Sequence, residues 1–328
     1  MIISRTPLRI SFVGGGSDIQ SYYRLNTGAV ISTAINKYIY ITVNKKFDNK
    51  IRASYSKTEI VDSIDQVQHP LIRECLKMTE IDSGIEVTSM SDIPSEGTGL
   101  GSSSSYTVGL LNALYAYKGR HVSAEQLAQE ACKIEIDILK SPIGKQDQYI
   151  AAYGGIQHIQ FNPDESVYAD PIICSSETKS KLENNMLILY TGLTRSAYTI
   201  LSKQGSSMKT NKKALATMTQ MVELTKKMRI DLNENKLDKI GEVIEENWLL
   251  KKTLTENISS QQIDLWYHTA KNHGATGGKI LGAGGGGFLL LYADPKDYAR
   301  ILESLPELVP MSFKFEPQGS KIIFVEKT

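Results

Sequence analysis

Pro94-Ser95-Glu96-Gly97-Thr98-Gly99-Leu100-Gly101-Ser102-Ser103-Ser104-Ser105 is the sharpest local feature of the 328-residue sequence. Ile85–Met90 before it reads as a strand. Ser102–Lys118 after it reads as a helix, with Val108, Leu111 and Leu114/Tyr115 at helical spacing. Gly97, Gly99 and Gly101 let the backbone turn tightly and bring its N–H groups toward an anion. A helix opening at Ser102 adds unpaired donors and the positive end of its dipole. The hydroxyls of Ser102, Ser103 and Ser104 can cap that helix, bind phosphate oxygens or meet a metal. Strand, glycine loop and helix in this order point to a polyphosphate site. The plain alternative is a flexible Gly/Ser turn.

Two familiar nucleotide loops are excluded. No GxxxxGK[ST] occurs. The GxGxxG match at Gly282, Gly284 and Gly287 runs into Phe288-Leu-Leu-Leu-Tyr292, which reads as a strand, whereas a dinucleotide fingerprint opens a helix. Two further glycine-rich stretches flank the first in sequence, Val13–Asp18 and Gly277–Gly287. Three such loops are expected to wall one cleft.

The rest of the chain sets the frame. A length of 328 residues suggests two domains, and 41% hydrophobic with 22% charged residues is ordinary globular usage. Lys+Arg 37 against Asp+Glu 36 gives +1, without the basic excess of a nucleic-acid binder. Cys75, Cys132 and Cys174 form no CxxC, and the five histidines show no metal spacing. Arg5 and Arg9 interrupt the apolar core that a signal peptide needs, and no run reads as a membrane span, so a cytoplasmic protein is expected.

Met1–Phe12 reads as extended, followed by Gly28–Ile35 and Lys37–Phe47 as two strands paired through a short turn. Ser123–Leu139 reads as a helix with a capping box at Ser123 and Gln126, ended by Pro142. Ile156–Phe161 and Met186–Tyr190 are strands on either side of a polar stretch, Asn162–Ser180. Helices are expected over Asn211–Arg229, Lys236–Lys251 and Ser260–His273. Strands are expected at Phe288–Tyr292, Ser312–Glu316 and Ile322–Glu326. The mixed order gives two α+β domains, 1–175 and 176–328.

Pro94, Gly99, Leu100, Gly101, Ser102 and Ser103 resemble the middle motif of the GHMP kinases. Thr6-Pro7-Leu8-Arg9 with Asp18 resembles the first motif, and Gly282–Gly287 the third, in the family's order. The resemblance implies a ribosomal S5 domain 2-like first half, a ferredoxin-like second half, and ATP and its acceptor in the cleft between them. Pro94, Gly97, Gly99, Leu100, Gly101 and Ser102 to Ser104 would hold ATP, with Ser103 and Glu135 on Mg²⁺. Asp147, in Gly144-Lys-Gln-Asp-Gln148, matches the catalytic aspartate, and Arg9 the cation beside it. Gly15, Gly16, Ser17 and Asp18 would face the acceptor, together with Gly284 and Gly285.

Within the family, Arg5–Asp18 and Gly144–Tyr149 look most like the bacterial branch that phosphorylates the anomeric hydroxyl of D-glycero-D-manno-heptose 7-phosphate. The acceptor would then be a small sugar phosphate. L-fucokinase-type domains are the competing resemblance, and a non-catalytic sugar and ATP sensor the competing class. A phosphorylated acceptor needs a second anion site. Thr194 and Arg195, between the strand Met186–Tyr190 and a helix, offer one, with Lys145 as the fallback.

Overall fold

The computed structural model describes residues 1–94, 97–194 and 197–326. Its first sheet is organised on one long strand pair. Ile2–Val13 (β1) runs antiparallel to Gly28–Lys45 (β2) along nearly its whole length. The sequence suggested two strands and a turn within residues 28–47, but β2 is continuous. The bonds that a turn would close locally come instead from the far end of the chain. Asn36 N donates to Lys314 O, and Lys314 N donates to Asn36 Oδ1. The β1–β2 register shifts at Pro7/Leu8, and proline has no N–H to give the ladder.

The other strands of the first half are Ile51–Ser54 (β3), Thr58–Val61 (β4), Ile85–Ser91 (β5), Ile156–Phe161 (β6) and Val167–Pro171 (β7). β5 pairs with the second half of β2 and β6 with the first half, so one strand serves two sets of neighbours. The helices are Gln20–Tyr23 (α1), Pro70–Met78 (α2), Ser102–Tyr117 (α3), Ala124–Cys132 (α4) and Gln146–Tyr153 (α5). α3 is buried almost all round. Gly109 lets it lie close on the sheet: a Cβ there would come 2.6 Å from Thr6 Oγ1.

The second half holds Ser176–Asn184 (α6), Met186–Tyr190 (β8), Ala197–Thr210 (α7), Lys212–Asn233 (α8), Ile240–Lys252 (α9) and Gln261–Asn272 (α10). Ala275–Ile280 (β9), Phe288–Ala293 (β10), Tyr298–Ser304 (α11) and Val309–Pro310 (β11) follow. Among the described residues the second sheet is antiparallel, in the order β11-β8-β10-β9. Residues 277–280, grouped above with a glycine loop, are therefore strand.

The chain then leaves that sheet. Lys321–Val325 (β12) pairs with β1, whose outer edge would otherwise present an open ladder. A cut into 1–175 and 176–328 thus leaves the last strand on the first sheet. Ser312–Glu316 is no strand: Phe315 makes a single bridge to Ile35. No helix among the described residues is long and apolar enough to cross a membrane.

Candidate active site

The second and third glycine loops touch backbone to backbone. A Cβ at Gly99 would lie 2.4 Å from Leu281 O, and one at Gly282 would lie 2.5 Å from Gly99 Cα. Both residues hold left-handed φ, 74° and 73°, so glycine is required on two counts. The cleft at this junction is lined by Arg9, Gly16, Asp18, residues 97–99 and 101–104, Glu135 and Asp147 on one side. Gln204, Lys251 and residues 281–284 and 286 line the other.

Gly101, with φ 77°, ends the loop and caps α3 without a side-chain bond. The N–H groups of the first turn have no intrahelical acceptor, and Ser102, Ser103 and Ser104 line the cleft. Ser103 Oγ donates to Glu135 Oε1 at 2.6 Å, and Gln148 Nε2 to Oε2 at 2.7 Å.

Glu135 does not sit on a continuous α-helix as the sequence suggested. Lys133–Ile138 is a π-helical turn, in which Leu139 N reaches back to Ile134 O. The wider turn re-aims the side chains of one helix face, a device common at functional sites. Glu135 is 1% exposed, and burial pushes its carboxyl up to about 7 even though Ser103 and Gln148 favour the ionised form.

Asp147 opens α5. Arg9 donates to it from Nε and Nη2, both at 2.7 Å, in the two-pronged geometry that suits a carboxylate. Gln146 Nε2 adds a third bond at 3.0 Å. The remaining Arg9 nitrogen, Nη1, donates to Gly99 O, so one guanidinium ties the aspartate to the glycine loop. Asp18 accepts from Gly16 N at 2.9 Å and Gln146 N at 3.1 Å. Burial, and then the charge of Asp147, hold its carboxyl above the usual range.

Several expected residues stand elsewhere. Ser17 is buried, with its hydroxyl spent on Ala29 N and O. Lys145 Nζ binds Glu165, at 2.5 Å from Oε2, and lies 4.7 Å over the Tyr23 ring, away from the cleft. Leu100 is core, and Pro94 is exposed beyond the lining. Gly285 N donates to Ile258 O, which turns it out of the wall that Gly284 joins. Thr194 is exposed and packs beside Gly97. Arg195 lies outside the described residues.

Sequence reasoning passed over Lys251, Gln204 and Asn247. Asn247 Oδ1 accepts from Gly14 N at 2.9 Å and holds the first glycine loop. Lys251, one turn further along α9, donates to Gly282 O at 2.6 Å and holds the third. Burial lowers its ammonium to about 8. A signal existed: Ile244, Trp248 and Lys251 share one stripe of α9, so the lysine occupies an apolar position.

Two family patterns match the chain, the GHMP kinase N-terminal domain over residues 67–155 and the GHMP kinase C-terminal domain over 228–310. Together they span more than half of it. The chain belongs to the GHMP kinase family. ATP is therefore its phosphate donor and a hydroxyl its acceptor. It is 28% identical to the D-glycero-alpha-D-manno-heptose 7-phosphate kinase of Campylobacter jejuni, over 98% of both chains. It is 26% identical to the L-fucokinase/L-fucose-1-P guanylyltransferase of Bacteroides fragilis, over 94% of this chain but 36% of that protein. The fold superposes on a D-glycero-D-manno-heptose 1-phosphate kinase from Bacteroides thetaiotaomicron with a TM-score of 0.83, at 22% identity over the whole of both chains.

Proposed function

We propose that this kinase phosphorylates the anomeric hydroxyl of D-glycero-D-manno-heptose 7-phosphate to the 1,7-bisphosphate, a step toward nucleotide-linked heptose. The observation that carries a transfer reaction is the Arg9–Asp147 fork, set between the glycine loop and Asp18. Asp147 accepts or orients the proton of the attacking hydroxyl. Arg9 holds that carboxylate in place through two hydrogen bonds and offsets charge on the transferring group. Gly97, Gly99, Gly101 and the first turn of α3 cradle the ATP phosphates. Gly15, Gly16, Asp18 and Gly284 face the sugar.

Ser103 and Glu135 supply two hard oxygens on the wall that holds the phosphates, a donor set that suits Mg²⁺. Among the described residues no cluster of three or more His, Cys, Asp or Glu could hold a metal. The other ligands would be phosphate oxygens and water, as is usual for Mg²⁺ on a nucleotide. Bound there, the ion would offset phosphate charge. Thr194 and Arg195 remain the proposed anchor for the 7-phosphate, since Lys145 is engaged with Glu165. A sensor would need neither the fork nor the Ser103–Glu135 pair.

Full-length likeness to a heptose 7-phosphate kinase favours that acceptor over fucose. ADP release is measured over heptose 7-phosphates, fucose, galactose and mannose. The 7-phosphoheptose is expected to give the highest kcat/KM. Preference for fucose overturns the acceptor, and no turnover on any sugar overturns the reading.

A further inference from the structure

Ile200, Gln204 and Met208 stand four residues apart on α7, and form one stripe of that helix. Ile200 and Met208 pack into the hydrophobic core of the second half, as a stripe should. Gln204, between them, is fully buried at 0% exposure. Neither its Nε2 nor its Oε1 has a hydrogen-bond partner among the described residues. Burying an amide without partners is costly, and Leu or Met would fill the same position without that cost. Gln204 is nevertheless one of the residues that line the cleft. It lies on the first glycine loop, where a Cβ at Gly16 would come 2.2 Å from its Nε2. The Gly16 N–H is held by Asp18, whose other oxygen accepts from the residue preceding Asp147.

We infer that Gln204 is a specificity-determining residue that reads two neighbouring hydroxyls of the acceptor. Its amide N–H donates to one hydroxyl oxygen, and its carbonyl accepts from the other. A carboxamide offers donors and acceptors side by side, and each sugar hydroxyl both donates and accepts, so a vicinal pair satisfies both atoms at once. The inference rests on the reading of the acceptor as a sugar. It assigns to α7, a helix outside the two matched family patterns, a contact on the acceptor side.

The test uses the whole enzyme and whichever sugar the acceptor panel selects, together with its monodeoxy analogues. The panel on the wild type decides the sugar reading by itself. Gln204→Leu is expected to raise KM for the sugar about tenfold or more and leave KM for ATP nearly unchanged. Wild type should discriminate against two adjacent deoxy analogues, because a site built to bond a hydroxyl rejects the compound lacking it. Gln204→Leu should lose that discrimination and keep the rest of the profile. The variant should also melt at or above the wild-type temperature without ligand, since an unpartnered buried amide has been removed. Equal losses across the series, an acceptor without vicinal hydroxyls, or a rise confined to KM for ATP each overturn the inference.

Discussion

On the first wall of the cleft the functional side chains bond one another. Arg9 donates to Asp147 twice and to Gly99 once, Glu135 accepts from Ser103 and Gln148, and Asp18 accepts from Gly16 and Gln146. On the second wall Gln204 has no partner among the described residues, and Lys251 donates to Gly282 O. The groups assigned to chemistry are thus fixed before any ligand arrives, which is the condition for dipoles and charges to act without reorganising. The groups on the facing wall hold bonds in reserve. A kinase family that keeps one reaction and varies its acceptor needs that asymmetry.

The largest way to break it is Asp147→Asn. Shape and the bond to one Arg9 nitrogen survive, but the proton acceptor is lost. kcat is expected to fall by about 10²–10⁴, the usual contribution of a positioned base, with KM for ATP little changed. Near-normal kcat in steady-state assays would reduce Asp147 to a residue that merely opens α5.

Glu135→Gln is the next. In the free enzyme this carboxyl titrates at about 7, raised by burial. A ligand set that needs the carboxylate then makes kcat/KM for ATP rise with pH up to about 7 and level off. Glu135→Gln should be about a hundredfold slower and lose the rise. Stability carries the opposite slope. Between the ordinary carboxyl pKa of 4.5 and about 7 the folded state holds a proton that the unfolded chain has released, so stability falls as pH increases through that window. The Gln variant, measured by urea unfolding across pH 4–8, should lack this fall. A variant with wild-type slopes in both measurements would take Glu135 out of the metal site.

How far the sequence carried these roles also divides along the two walls. The first wall was legible because its residues sit in or beside short glycine-rich stretches, and Arg9, Ser103 and Asp147 lie on the motifs themselves. Glu135 was placed by resemblance, and its π-helical turn was not foreseen: the apolar spacing of Leu127, Ala131, Ile134 and Ile138 reads as a continuous α-helix, whereas in the fold Leu139 N reaches back five residues to Ile134 O. Strand order was less legible. The continuous β2 depends on Lys314, nearly three hundred residues away, and the return of β12 depends on an edge that only the folded sheet exposes. Lys145, offered only as the fallback anchor, shows why closeness in sequence to Asp147 does not give orientation: Glu165 and the Tyr23 ring hold its ammonium. The second wall was nearly silent. Gln204 and Lys251 carry no motif, and each shows only as a polar residue at an apolar position of its helix.

Lys251 gives the smallest expected effect and the sharpest test of the contrast. Lys251 is 4% exposed and lines the cleft, and burial brings its ammonium down to about 8, with Asp18 acting to keep it charged and Arg9 acting against. Donation to Gly282 O leaves two N–H bonds for an incoming anion. If those bonds meet a phosphate oxygen, the charged form is the active one, and kcat/KM should decline above about pH 8. Lys251→Met keeps the apolar stem and loses the charge. At pH 7 it should cost about tenfold in kcat/KM, the order of one charge-assisted hydrogen bond, and remove the alkaline decline. Stability should move the other way. The unfolded lysine keeps its proton up to its ordinary pKa of 10.5, the folded one only to about 8, so the folded state gains stability as pH rises through that interval and is weakest where Lys251 is charged. The Met variant should therefore melt higher than wild type at pH 7, with the two curves converging toward pH 10. A Met variant that keeps the alkaline decline would assign that titration to another group. Lys251 would then serve only to close the Gly282 carbonyl, and the second wall would hold one ligand-facing side chain in reserve instead of two.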